Sequence, residues 1–260
     1  MTRFWKLSGA GNDFVLLEGD PAAKGWPALA RRLCGRRDGI GSDGLLILSR
    51  RGRSGLPELR HFNGDGSAAF CGNGTRCAAW WLSKRAGKRG RFAMLSNGAR
   101  VEAVPTARGA RVSMPAPKGL RLGLSLSALG RRVIADAIDT GVPHAVVRVR
   151  GLERFPVVEL GRALRRHPAF APAGANVNFV EGRRVRTYER GVEDETSACG
   201  TGVTASALTL AARESLRSPI ALEARGGRLS VSFRRSGEGG FSDVWLEGPA
   251  RETFSGEVDL

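Results

Sequence analysis

No stretch of the chain approaches the roughly 20 uninterrupted apolar residues of a membrane-spanning helix, and Met1-Thr2-Arg3-Phe4-Trp5-Lys6 leads into no apolar signal-peptide core. The expectation is therefore no membrane association and a cytoplasmic address. Cysteine is also scarce. The four residues, Cys34, Cys71, Cys77 and Cys199, show neither the dense even spacing of a secreted disulfide scaffold nor a C-x-x-C pair suited to zinc. They read as reduced thiols, and for Cys34 and Cys77 the plain reading is a buried structural cysteine. The sequence also has no P-loop, no Rossmann fingerprint and no context for a Schiff-base lysine. No metal, nucleotide or other cofactor is expected. Acidic residues fall well short of basic ones, giving a formal net charge of +16. Phosphate attraction at low salt follows from that charge. Its arginines are nevertheless scattered, lysine is scarce beside them, and no helix-turn-helix, RNP or zinc-finger pattern appears, so no specific nucleic-acid partner is expected.

What the chain does have is a core and a rhythm. At 260 residues with 42% hydrophobic content it can fill one large domain or two modest ones. Short apolar runs at Phe14–Leu17, Leu45–Leu48, Val146–Val149, Val157–Leu160 and Val177–Val180 read as strands between Gly, Pro and Asn punctuation. Helical spacing appears at Pro27–Leu33, Arg76–Arg85, Leu160–His167 and Gly202–Arg213. The expected class is α/β or α+β.

The most informative feature is an internal repeat. Asp65 to Gly74, which contains Cys71-Gly72-Asn73-Gly74, resembles Glu193 to Gly202, which contains Cys199-Gly200-Thr201-Gly202. The two cysteines lie 128 positions apart, and so do Gly98 and Gly226 in the matching segments Asn97-Gly98-Ala99-Arg100-Val101 and Arg225-Gly226-Gly227-Arg228-Leu229. Farther on, Val112 to Pro117 meets Val244 to Pro249. The expected division is residues 1–117 and 118–250, with the stretch Pro115 to Gly119 as the linker.

Each copy places a cysteine before Gly-x-Gly and a helical pattern, at or just before a helix N-terminus. Unpaired N–H groups and the positive end of the helix dipole stabilise a thiolate there. Glycines at 72, 74, 200 and 202 keep the same N–H groups open to a carboxylate. A single Cys-Gly-x-Gly is a weak signal, equally a turn around an inert thiol; two copies in matched context are not. Two such motifs facing across a cleft between pseudo-symmetric domains suit inversion of a stereocentre, in which one thiolate removes a proton from one face and one thiol delivers a proton to the other. Without pyridoxal phosphate, the carbanion has to be stabilised by N–H groups and exclusion of water.

At this point the sequence resembles diaminopimelate epimerase, nearly end to end. The carrying segments are Gly9 to Phe14, Gly39 to Gly44, Phe62 to Ser67, Cys71 to Cys77, Pro143-His144, Ala175 to Phe179 and Tyr188 to Gly202. The resemblance implies two similar domains, each a curved sheet or barrel wrapped around a central helix, and return of residues 251–260 to the first. It implies that Cys71 and Cys199 are the acid–base pair, that His144 and Glu189 tune the thiols, and that Gly72, Asn73, Gly200 and Thr201 hold the reacting carboxylate. Asn12, Asn63, Asn176, Glu189 and Arg190 then bind an amino-acid substrate, largely at its distal end, and a homodimer is a candidate assembly. Two positions depart from the family: Val142 stands where many members carry a substrate-binding Asn, and Gly44 where some carry Gln. The alternatives are another cofactor-independent racemase of this fold, of histidine or proline type, and a non-catalytic basic binding protein.

Overall fold

The computed structural model describes residues 1–237 and 239–260. The chain divides into two units, one of residues 1–113 with 247–260 and the other of residues 114–246.

The first unit begins with the antiparallel pair β1 (Thr2–Gly9) and β2 (Asn12–Glu18). Helix α1 (Trp26–Cys34) carries the chain to β3 (Gly44–Ser49), which lies parallel to β2, and β4 (Glu58–Asn63) returns antiparallel to β3. Helix α2 (Gly72–Arg85) then leads to β5 (Phe92–Ser96), parallel to β4, followed by the antiparallel strands β6 (Ala99–Thr106) and β7 (Gly109–Ser113). Sequence explains the runs in β2 and β3, because helices cover both faces of the sheet. Val15, Leu17, Leu45 and Ile47 meet Ala30, Leu33 and Cys34 of α1, while Phe14 and Leu46 approach Gly74 of α2.

The second unit repeats that order. Strands β8 (Lys118–Ala128) and β9 (Arg131–Asp139) pair antiparallel, and β9 pairs antiparallel with β10 (Pro143–Arg148). Helix α3 (Val157–Arg165) leads to β11 (Asn176–Glu181), parallel to β10, and β12 (Arg184–Glu189) returns antiparallel. After the short β13 (Asp194–Thr196), helix α4 (Gly200–Glu214) leads to β14 (Ile220–Ala224), parallel to β12, then β15 (Gly227–Arg235) and β16 (Phe241–Pro249). Strand β17 (Arg251–Val258) belongs to the first unit again, where it pairs antiparallel with β1.

In each unit one helix is central. Helix α2 touches β1, β2, β3, β4, β6, β7 and β17, and α4 touches β9, β10, β11, β12, β14 and β15. Both are buried on every side over most of their length, and their Gly, Ala, Ser and Thr residues let the surrounding strands come close. Their cores lack the one-sided apolar stripe of α1 and α3.

Two expectations from sequence are corrected. Val157-Val158-Glu159-Leu160 is the first turn of α3 and not a strand: it follows Pro156, and Val157, Leu160, Gly161 and Leu164 form the buried i, i+3, i+4, i+7 face of a helix. The Pro115 to Gly119 stretch is only partly irregular, since β8 already begins at Lys118.

Candidate active site

The repeat becomes geometry at the two cysteines. Cys71 has extended backbone and is the N-cap of α2, its Sγ accepting the Gly74 N–H at 3.3 Å. Cys199 is the N-cap of α4 in the same conformation, its Sγ accepting the Gly202 N–H at 3.4 Å. The thiol takes the place of the usual capping oxygen. Both sulfurs thus sit at the first-turn N–H groups and positive dipole end of a buried helix, the setting that favours the thiolate. The other two cysteines are buried thiols. Burial pushes Cys77 up to about 12 and also raises Cys34, whose Sγ accepts the Ser42 hydroxyl at 3.2 Å.

In the first unit the structure joins Asn12, Asn73 and Cys71 through the start of α2. Asn73, next but one to the thiol, donates its side-chain N–H to Asn12 Oδ1 at 2.6 Å, and Asn12 donates to Asp43 Oδ2 at 3.0 Å. Asp13 and Asp43 accept each other's backbone N–H at 3.1 and 3.0 Å, Arg36 bonds both carboxylates, and Lys6 Nζ lies 2.8 Å from Asp13. Although burial works to raise it, hydrogen bonds from Arg36 and Lys6 hold the Asp13 carboxyl below its ordinary value. On the other side of Asn73, the buried Arg76 guanidinium donates to Asn73 Oδ1 at 2.6 Å and to Pro249 O at 3.0 Å. The amide of Asn12 is therefore held at both its oxygen and its nitrogen. Asn63, at the end of β4, belongs to a different local arrangement: it donates to Ser67 Oγ at 2.9 Å, in a turn where Asp65 accepts the Ser67 N–H at 2.8 Å. Gly72 opens α2 beside Asn73.

In the second unit the register of β10 against β11 sets His144 beside Asn176. Asn176 Oδ1 accepts the Arg190 backbone N–H at 2.7 Å, and the half-buried Arg190 guanidinium donates to Ala173 O at 3.1 Å. Glu189 accepts the Thr196 hydroxyl. Gly200 opens α4, and Thr201 sets its hydroxyl 3.3 Å from Cys199 Sγ while its carbonyl accepts the Thr140 hydroxyl at 3.0 Å. His144 is 1% exposed, and burial, followed by the charge of Arg190, lowers its imidazole to about 3.

Sequence reasoning passed over Asp13, Asp43, Arg36, Arg76 and Asn178. Asp13 and Asp43 lie inside segments quoted above, but what couples them is a parallel strand pairing across 30 residues, for which the sequence carries no spacing signal. The departure at Gly44 has a local explanation: a Cβ there would lie 2.6 Å from His61 Nε2 and 2.8 Å from Phe62 O, so the buried imidazole fills the space a longer side chain would enter. Among the described residues no group of three or more His, Cys, Asp or Glu could hold a metal ion, and no helix is long and apolar enough to cross a membrane.

Known proteins resemble this chain in both sequence and fold. The family model described as diaminopimelate epimerase matches residues 4–117 and 136–251. The chain is 36% identical over 278 residues to a diaminopimelate epimerase of Aquifex aeolicus (strain VF5), covering 98% of this chain and 97% of that one. It is 34% identical over 267 residues to one of Chlorobaculum tepidum, covering 98% and 100%. Among solved structures, a hydroxyproline epimerase from Agrobacterium vitis superimposes with a TM-score of 0.72 at 16% identity, covering 98% of this chain and 91% of that one. A phenazine biosynthesis protein of the PhzF family from Bacillus anthracis gives a TM-score of 0.78 at 12% identity, covering 100% and 99%. Those two similarities concern the fold.

Proposed function

Because the chain belongs to the diaminopimelate epimerase family, we propose that it interconverts LL- and meso-2,6-diaminopimelate, with Cys71 and Cys199 as the acid–base pair acting on opposite faces of the α-carbon. The observation that carries this reading is the matched pair of thiol N-caps, each accepting the third N–H of a buried helix. One thiolate removes the α-proton as the other thiol delivers a proton to the opposite face. The helix N-termini offer N–H groups at Gly72, Asn73, Gly200 and Thr201 to the reacting carboxylate, where negative charge grows as the α-proton leaves. Asn12, Asn63, Asn176, Glu189 and Arg190 read the rest of the substrate, and the hydrogen bonds that hold Asn12 and Asn176 reduce the ordering cost on binding.

Independence of pyridoxal phosphate, a cytoplasmic location and a homodimer belong to the same reading, carried over from the family resemblance. The test is exchange in deuterated water. Purified protein given LL-diaminopimelate should incorporate solvent deuterium at one α-carbon and accumulate the meso form, without added cofactor. Absence of exchange would sink the proposal, and equal exchange into histidine or proline would redirect it to another racemase of this fold.

A further inference from the structure

His144 Nε2 is a buried nitrogen with no hydrogen-bond partner among the described residues. The other face of the same ring explains what that nitrogen is. Asn178, on β11, has its amide orientation fixed by a backbone carbonyl, whose polarity is unambiguous. Ala145 O, which can only accept, lies 3.0 Å from Asn178 Nδ2, and the Thr187 hydroxyl donates to Asn178 Oδ1 at 3.0 Å. The group facing Ala145 is therefore the NH2, and its second hydrogen is directed to His144 Nδ1 at 3.1 Å. A ring nitrogen that accepts a hydrogen bond carries no proton, so the proton of the neutral imidazole resides on Nε2. Burial keeps the ring neutral. Asn178 also lies close against the first turn of the helix that Cys199 caps: a Cβ at Gly202 would overlap Asn178 Oδ1, so the position is open to the amide only as glycine.

We infer that Asn178 is a positioning residue that locks His144 as a neutral Nε2–H donor, and that this buried donor is completed by an anionic acceptor supplied when the amino-acid substrate binds. An unmade donor in a buried site is unfavourable and gains when an acceptor arrives. On this inference the imidazole tunes its surroundings as a donor and does not store a proton released by a thiol. A ring whose Nδ1 lone pair is filled by an amide and whose Nε2 already holds its proton cannot accept another without losing the Asn178 bond. The tautomer is a property of the protein alone; only the identity of the acceptor rests on the proposed epimerase reading.

The chain has three histidines, which makes the tautomers directly readable. His61 is the internal contrast: its Nδ1 lies 2.9 Å from Ala69 O, so it must be protonated on Nδ1. The experiment is long-range proton–nitrogen NMR on the full-length protein labelled with 15N-histidine, assigned with His144→Gln. His144 is expected protonated on Nε2 only, and unchanged from pH 8 to 5. In Asn178→Asp the carboxylate accepts from Nδ1, so the proton should move to that nitrogen, the ring should titrate at higher pH beside Arg190, and kcat should fall on the order of 100-fold, the scale of losing one aligned donor to developing charge. Asn178→Asp that keeps the wild-type tautomer would overturn the inference, as would wild-type His144 found protonated on Nδ1 or doubly protonated at pH 7. Adding meso-diaminopimelate to the wild type should shift the His144 Nε2–H resonance; a bound substrate that leaves it unmoved would overturn the acceptor. If the tautomer is as inferred but no α-hydrogen exchange occurs, the epimerase reading fails and the positioning role of Asn178 stands.

Discussion

Gly74 and Gly202 occupy the same place in the two copies of the repeat, three residues after each cysteine, yet alanine should affect them very differently. At Gly74 a new Cβ would meet Leu46 Cδ2 at 3.0 Å and Phe14 Cε1 at 3.6 Å. The nearer atom is the end of a flexible side chain that can give by a few tenths of an ångström. A helix also gains up to about 1 kcal/mol when Gly becomes Ala, which offsets the small displacement of Leu46, so Gly74→Ala should lie within about 1 kcal/mol of the wild type. At Gly202 the Cβ would overlap Asn178 Oδ1, and that amide is held by Thr187, Ala145 and His144 in a buried layer. Displacing it disrupts three hydrogen bonds, each worth about 1 kcal/mol and more where a partner is left unmade. After the helix gain is subtracted, Gly202→Ala should cost about 2–3 kcal/mol. Urea unfolding followed by circular dichroism, with both variants at the same pH, measures the difference. Equal losses, or a larger loss for Gly74→Ala, would refute the claim that Asn178 is immobile and that its hydrogen bonds set the cost.

Replacing either Cys71 or Cys199 by Ala should abolish epimerisation, whereas Cys34→Ala and Cys77→Ala should keep most of it; turnover retained in either of the first two would end the two-base assignment. Alkylation at neutral pH followed by peptide mapping should label Cys71 well before Cys34 and Cys77, because both of the latter are buried and held protonated; faster labelling of Cys77 would contradict its burial. His144 is depressed from 6.5 to about 3 in the folded chain, so the unfolded chain binds the extra proton between those values, and stability from this group is present above pH 6.5 and lost as pH falls toward 3. His144→Gln should therefore weaken the acid destabilisation between pH 7 and 4 relative to the wild type, and identical slopes of unfolding free energy against pH would refute the buried neutral ring. Arg190→Ala should lower kcat/KM for diaminopimelate by roughly thirtyfold, the equivalent of about 2 kcal/mol for a charged pair to a carboxylate; an unchanged value would remove Arg190 from the substrate's distal end.

The two cysteine motifs were legible in the sequence because their chemistry is local. One Cys-Gly-x-Gly is weak by itself, but a second copy at a constant offset of 128, each followed by helix formers, exposes the duplication and places both thiols at helix starts. The parallel and antiparallel order of the strands was less legible, and Val157–Leu160 shows why: four residues of apolar bias satisfy a strand as well as a helix turn, and only the face that packs against Phe179 and Tyr188 decides. The polar groups that orient the site were not legible at all. Asp13 meets Asp43, Arg76 reaches Pro249, and Asn178 bonds His144 across 34 residues, each pairing created by strand register and helix burial. A sequence determines which donors and acceptors exist and which lie at a helix end. Which of them meet, and which nitrogen of a buried imidazole keeps its proton, is decided by tertiary packing, because a hydrogen bond is set by distances of about 3 Å between atoms that the chain brings together only when it folds.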